Sequence, residues 1–379
     1  MKILIITPYA DPEKGACVVR VNGLCRHFTE QGEEVSIFAP ARAGAKGAEN
    51  VLRYSGIADL MRRIIAGKFD AIIGTSPPLT HNFFALLAAK ACGAVFFLDA
   101  KDPFTDVMRK LQPDVAGSLK FRLFEMMESF TFRNCERVIF LNTPYLEEYT
   151  KKFSVPKDRA VLAPNGSDTK KIYFDAKARD VTRNELGLND SFTFIYVGGV
   201  GDKDIAGFVR EAFPAIVKNN HAKAVFILSF EGTAAQKRII ANMRSELEKQ
   251  GVLGEAQFIF NVEFARLYKY LSAADCGLVA YPDFEMQVLG AKVFDYIAAG
   301  LPVAAKASAG NTELRHFIES NNLGFMETNW PAFMDKFKWF VGKGWIRNEI
   351  VKVARDNSRD KGCALVLREM RKAKGMVER

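Results

Sequence analysis

The sequence predicts a parallel, doubly wound α/β fold, built twice in succession. Three observations predict it. Short apolar segments recur along the chain and are continuous rather than alternating, the mark of strands covered on both faces. Longer amphipathic stretches separate them, and strand–helix alternation builds parallel sheets. The 379 residues exceed one ordinary domain and fit two.

In the first half, KILIIT (2–7) is a strand, VVRVNGLCRHFTEQG (18–32) a helix and EVSIFAP (34–40) the next strand. DLMRRIIAG (59–67) reads as a helix, DAIIGTSPP (70–78) as strand and loop, and NFFALLAAKACG (82–93) as a helix. AVFFLDAKDP (94–103), the helix 118–135 and RVIFLN (137–142) complete the series. AVLAPNGSD (160–168) is a strand and turn, and the polar stretch 169–190 a linker. SFTFIYVGG (191–199) opens the second series, continued by strands at 222–230, 256–261, 276–282 and 301–306. Its helices are 205–219, 233–250, 264–274, 291–299 and 311–320. The expected domains are 1–170 and 171–345, with closing helices over 346–379. Trp330, Trp339 and Trp345 lie close together among lysines; they fit either aromatic packing of the closing helices or an interfacial anchor.

The formal net charge of +9 is uneven: residues 1–180 carry +5, 181–334 carry −3 and 335–379 carry +7. A solvated basic surface and an attachment to an anionic membrane or substrate both fit. Basic residues interleave with acids and no nucleic-acid motif occurs, which disfavours nucleic acid. The six cysteines form no C-x-x-C and the four histidines no H-x-x-x-H. No metal site or disulfide framework is therefore expected, and a reducing cytoplasm is. No signal-peptide pattern opens the sequence and no apolar run is long enough to span a membrane.

Ligands of doubly wound sheets bind outside the carboxyl ends of the strands. The first such loop, TPYADPEKGACVVR (7–20), has Gly15 before a helix but no G-x-G-x-x-G. It disfavours a dinucleotide and permits an anion at a helix N-terminus. In YVGGVGDKD (196–204), Gly198, Gly199 and Gly201 permit close backbone approach to a ligand. Lys203 brings a positive charge suited to a diphosphate. In DFEMQVLGAKVFDYIAAGLPVAA (283–305), Gly290 leaves the N–H groups of Leu289, Gly290 and Ala291 open at the start of a helix, a phosphate cradle. Asp295 lies about one turn into that helix, able to accept from ribose hydroxyls, and Gln287 precedes it by eight residues. Gly300 is expected as a left-handed cap.

The segment 283–305 resembles the signature of the retaining, group-1-type (family 4-like) glycosyltransferases of the GT-B fold. There the loop reads E-P-F-G-L-x-x-x-E before a helix ending in A-x-G-x-P-V. Here Q-V-L-G-A-K-V-F-D fills the frame: Gly290 matches the glycine, Asp295 the second acid, and Gln287 stands in place of the first glutamate. ADCGLVAYP (274–282) and APNGSD (163–168) resemble two further family elements. TSPP (75–78) and LDAKDPF (98–104) resemble loops of members that build bacterial surface polysaccharides.

The resemblance implies GT-B architecture: two Rossmann-like domains facing across a cleft, acceptor domain first and donor domain second, with a C-terminal helix crossing back to the first. It implies transfer of a sugar from a nucleotide-diphosphate sugar to a saccharide or polyprenyl-linked acceptor, with retained configuration and neither metal nor cofactor. Lys203 would neutralise the β-phosphate, although Gly199 stands where a family arginine usually precedes that lysine. Gly15, Leu289 and Gly290 would hold phosphates, Asp295 the ribose and Gln287 the sugar, with Glu285 nearby. Asp102 would act near the reacting centre, Asp99 being a lesser candidate. An epimerase or phosphorylase lacks its acid–base pair or its longer chain. A GT-B binding or scaffold subunit without chemistry remains the non-enzymatic alternative. Helix 118–135 fits either core packing or a lipid-facing surface, so peripheral membrane attachment of the acceptor side is expected through the basic ends of the chain.

Overall fold

In the computed structural model the apolar runs pair edge to edge as two all-parallel sheets. The structure describes residues 1–13, 15–41, 50–101, 104–200, 203–281 and 287–376. Two compact units result: Met1–Asn165 with Arg359–Arg379, and Gly166–Ser358.

The first unit holds β1 (Lys2–Ile6), β2 (Glu34–Pro40), β3 (Val51–Tyr54), β4 (Ala71–Ser76), β5 (Val95–Ala100), β6 (Arg137–Phe140) and β7 (Ala160–Leu162). Their spatial order is β3-β2-β1-β4-β5-β6-β7. Between them run α1 (Ala16–Glu30), α2 (Ile57–Gly67), α3 (Leu79–Cys92), α4 (Phe104–Leu111), α5 (Pro113–Ala116), α6 (Leu119–Asn134) and α7 (Thr143–Phe153). Strand residues alternate between two cores, as the period of two requires. Ile3, Ile5, Ile73, Phe97 and Ile139 line one, and Leu4, Ile6, Ile72, Phe96 and Val138 the other. Continuous apolar strands were legible in the sequence because both faces are covered.

The second unit contains α8 (Ala176–Glu185), β8 (Phe192–Gly199), α9 (Lys203–Gly207), a π-helical turn Phe208–Ala212 and α10 (Phe213–Asn220). Then come β9 (Ala222–Ser229), α11 (Ala234–Lys249), β10 (Ala256–Phe260), α12 (Leu267–Ala273), β11 (Cys276–Ala280), α13 (Ala291–Ala298), β12 (Val303–Lys306), α14 (Thr312–Ser320), β13 (Gly324–Glu327), α15 (Trp330–Gly342) and α16 (Arg347–Asp356). The sheet order is β10-β9-β8-β11-β12-β13. The last helix, α17 (Arg359–Ala373), belongs to the first unit. There Cys363, Val366, Leu367 and Met370 join the core under α1, and Gly23 gives room for the Arg359 side chain, which a Cβ would strike. The chain leaves the second unit at Ser358, later than residue 345, because α16 packs on α13.

Several elements differ from the sequence expectation. The 169–190 linker contains α8, whose Arg179 and Arg183 pair with Asp275 at 2.7 and 3.3 Å. Only Thr182 of α8 is buried, so it carries almost no apolar periodicity. Trp330 is buried against Phe208 and Phe333, and Trp345 donates to the Phe340 carbonyl at 3.0 Å. The tryptophan cluster is mainly a packing device, with Trp339 alone of the three exposed.

Helix α4 is tied down by polar and charged contacts. Thr105 Oγ1 donates to Glu128 of α6. Asp106 accepts from Tyr149 and from Lys152 Nζ, the latter at 2.6 Å. Burial pushes the Glu128 carboxyl above its ordinary range, more strongly than the Thr105 hydrogen bond and Lys152 pull it down. The folded chain therefore keeps this proton at a pH where the unfolded chain, with an ordinary glutamate pKa of about 4.3, has released it. The stabilisation is full below that value and is lost as pH rises through the folded pKa. Glu128→Gln should remove this component. In urea titrations from roughly pH 4 to 7, the variant should gain stability relative to wild type as pH rises. Parallel curves would show that Glu128 titrates alike in both states.

Candidate functional site

Strand β8 pairs with β11 only at Phe194–Cys276 and Ile195–Gly277. Their onward connections diverge to opposite sides of the sheet: β9 follows β8 on one side, and β12 follows β11 on the other. This is the topological switch point, where such sheets take ligands. Beyond the two pairs, the phenol of Tyr296 from α13 lies between the strands. Its hydroxyl accepts from Val197 N at 2.9 Å and donates to the Leu278 carbonyl at 3.1 Å. It thus joins a donor of β8 to an acceptor of β11 that no ladder bond reaches. Gly277 makes this possible, since a Cβ there would meet the Tyr296 ring. Burial raises the Tyr296 pKa far above its ordinary value, so the hydroxyl stays a donor.

Pinned this way, α13 starts beside Tyr196 of β8 and Tyr281 just after β11. Gly290 is its N-cap, in extended conformation, with no side-chain cap. Leu289 is buried, whereas Gly290 and Ala291 are half-buried. Open N–H groups at an uncapped helix start favour an anion. Lys292, in the same first turn, holds its ammonium 4.4 Å from the Tyr196 ring centroid and 5.4 Å from that of Tyr281. Gly199 ends β8 and is exposed. Lys203 begins α9, adjacent in sequence to that loop; its side chain lies outside the described part, as do Gly201, Glu285 and Asp102.

Asp295 is buried and accepts from Ser167 Oγ at 3.1 Å. Ser167, from the P-N-G-S-D turn, in turn bridges Ser358 in parallel register. The far end of α13 is closed by Gly300 in the left-handed region, φ 68°, as expected, and by Arg347, which donates to the carbonyls of Ala299 and Ala274 at 3.2 and 3.1 Å.

Gln287 is joined to α14. Its Nε2 donates to the Gly310 carbonyl at 2.6 Å, and its Oε1 accepts from Glu313 N at 3.2 Å and Thr312 Oγ1 at 3.3 Å. Asn311 completes the seam: Oδ1 accepts from Val288 N and Nδ2 donates to the Val288 carbonyl, at 3.2 and 3.1 Å. A carboxylate at 287 would put an acceptor against the Gly310 carbonyl, which explains an amide at this position.

In the first unit, Gly15 is the N-cap of α1 at φ 127°, with open space where a Cβ would lie. Lys101 Nζ donates to Cys17 Sγ at 2.9 Å, linking the end of β5 to the first turn of α1. Asp99 is fully buried and bound by Arg20, with Nε–Oδ2 2.9 Å and Nη2–Oδ1 2.7 Å. The Arg20 guanidinium is itself pushed above its ordinary value: burial opposes the charge, and the adjacent Asp99 carboxylate outweighs it. Asp99 is therefore a structural ion-pair partner, out of reach of a substrate. Tyr296, Lys292, Ser167 and Asn311 were missed from sequence. The family-like turn 163–168 was the one available signal, for Ser167.

Residues 15–166 match the family described as glycosyl transferase 4-like domain. Over those residues the chain carries that glycosyltransferase domain. No curated protein matches it. Among solved structures, it is similar to sucrose-phosphate synthase from Thermosynechococcus elongatus, with TM-score 0.72 and 16% identity over 98% of each chain. It is also similar to Anabaena HepE in complex with UDP and glucose, with TM-score 0.72 and 12% identity over 98% of this chain and 99% of that one. The catalytic domain of Arabidopsis thaliana starch synthase IV, bound to ADP and acarbose, gives TM-score 0.67 and 11% identity over 99% of each chain. At these identities the likeness establishes the GT-B fold.

The tyrosine bridge of this glycosyltransferase is directly testable. Tyr296→Phe leaves the half-buried Val197 N–H and the buried Leu278 carbonyl without the hydroxyl between the strands. It should lower the unfolding free energy in urea by about 1–3 kcal/mol. An unchanged transition would mean that the strands close without the hydroxyl.

Proposed function

We propose that this glycosyltransferase moves a sugar from a nucleotide-diphosphate sugar to an acceptor hydroxyl, with retention of configuration. The observation that carries the reading is the uncapped N-terminus of α13 beside the switch point, with Lys292 in its first turn and Asp295 one turn on. The N–H groups of Leu289 and Gly290 hold the diphosphate. Lys203 and Lys292 neutralise the charge that grows on the β-phosphate as the glycosidic bond breaks. Asp295, oriented by Ser167, accepts from the ribose hydroxyls. Gln287 acts by fixing the loop against α14. Gly199 lets the β8 loop approach the donor, and Gly15 supplies a second backbone site for its phosphates. Asp102 contacts the acceptor or donor sugar near the reacting carbon. Nothing in this scheme calls for a metal or a cofactor; the chemistry is positioning and leaving-group stabilisation.

The support from relatives is specific. HepE holds UDP and glucose, and starch synthase IV holds ADP and acarbose. We extend the same donor class to this chain. The acceptor is a saccharide or a polyprenyl-linked sugar, in bacterial surface polysaccharide or glycolipid synthesis. The protein works in the cytoplasm, peripherally on an anionic membrane. Among the described residues no helix is long and apolar enough to cross a membrane.

The test is turnover on a panel of UDP-, GDP- and dTDP-sugars. Lys203→Ala and Asp295→Ala should each lower kcat/KM by roughly a hundredfold or more, about 2.7 kcal/mol of transition-state stabilisation. Near-native turnover in both variants would show that the donor lies elsewhere. Donor binding without turnover in the wild type would favour the binding-subunit alternative.

A further inference from the structure

Helix α6 is apolar on two opposite faces. Phe121, Thr131 and Phe132 face inward and are buried. Leu119, Leu123, Met126 and Phe130 face out, with 84%, 44%, 60% and 36% exposure. Their spacing of i, i+4, i+7 and i+11 aligns them as one ridge along the helix. Packing accounts for the inner face and leaves the outer one unexplained. A soluble helix normally has polar residues there. Phe83 of α3 meets Phe130 edge-on at 5.4 Å and continues the apolar surface.

The flanks of the ridge are cationic. At about 100° per residue, Arg122 and Arg133 fall on one side of it and Lys120 on the other, all three exposed. The two acids of α6 lie off the ridge: Glu128 is buried, and Glu125 pairs with Arg109. The first unit as a whole has 29 basic and 21 acidic residues, a net of +8, against 24 and 23 in the second. Nearly all of the chain's surplus charge thus belongs to the unit that bears the ridge.

We propose that the outer ridge of α6 docks the first unit onto an anionic lipid bilayer, its apolar side chains in the acyl boundary and Arg122, Arg133 and Lys120 at the headgroups. An apolar ridge between cationic flanks matches that interface. A second copy of the chain fits worse, because two such ridges face to face would oppose cations with cations. The purpose, delivering a lipid-linked acceptor, rests on the transferase reading; the surface itself does not.

The experiment is co-sedimentation of the full-length protein with vesicles of phosphatidylcholine alone or with one-third phosphatidylglycerol, at low and high salt. Wild type should sediment with the anionic vesicles, weakly with the neutral ones, and less in high salt. Leu119→Ser/Met126→Ser should lower the partition coefficient at least about tenfold. Arg122→Gln and Arg133→Gln should each cost about fivefold, on anionic vesicles only. The replaced side chains are exposed, and unchanged unfolding midpoints verify intact folding. The proposal is overturned if wild type fails to sediment with anionic vesicles at low salt, or if the double serine variant binds as wild type does. It is equally overturned if wild type is a dimer that the double variant converts to monomer, with no lipid binding by either. Nucleoside-diphosphate binding in solution should be equal in wild type and double variant. Its absence in both, with sedimentation intact, would remove the transferase reading and leave the docking surface standing.

Discussion

The second unit of this molecule depends on one hydrogen-bonded side chain at a place where a sheet cannot close. At the switch point β8 and β11 share two residue pairs, and then their backbone groups lose each other. Tyr296 carries a hydroxyl into that gap and restores a donor and an acceptor at once. Because the same residue lies in α13, satisfying the strands fixes the helix. The helix start, the Lys292 ammonium and the Asp295 carboxylate inherit their positions from it. Gly277 is the permissive counterpart, holding open the space for the ring.

The remaining contacts reinforce that arrangement from both ends. Arg347 and Gly300 close the C-terminus of α13, and Ser167 orients Asp295 along its length. The loop before the helix is held by amide side chains: Gln287 bonds to backbone groups at the start of α14, and Asn311, the N-cap of α14, bonds back to the Val288 backbone. Amides both donate and accept, so they can hold a loop without placing negative charge where a diphosphate would bind. In the first unit the corresponding rigidity comes from a buried ion pair, Arg20 with Asp99, where removing either partner would strand a charge in the core.

How much of this was legible in the sequence follows the physics of each element. Strands buried on both faces announce themselves as continuous apolar runs, and β1, β4, β5, β8 and β11 were readable for that reason. Elements without such a run were not: β3 is VLRY and β13 GFME, and α8 is held by arginines rather than by an apolar stripe. At the site, Gly290, Asp295 and Gly300 were visible because helix starts and caps demand particular residues. Tyr296 was not, since its role exists only once β8 and β11 lie side by side. Asp99 was a lesser candidate for the reacting centre until Arg20, distant in sequence, was brought against it. Asp102 lies outside the described residues, and its role rests on the family resemblance.

In the proposed function, backbone N–H groups at the start of α13 hold a diphosphate. Amide hydrogen exchange of the whole chain, with and without excess UDP, tests this most directly. Exchange should slow at Leu289, Gly290 and Ala291 and after β8, with little change along α6. Exchange at those three amides that is indifferent to UDP, GDP and dTDP alike would contradict it.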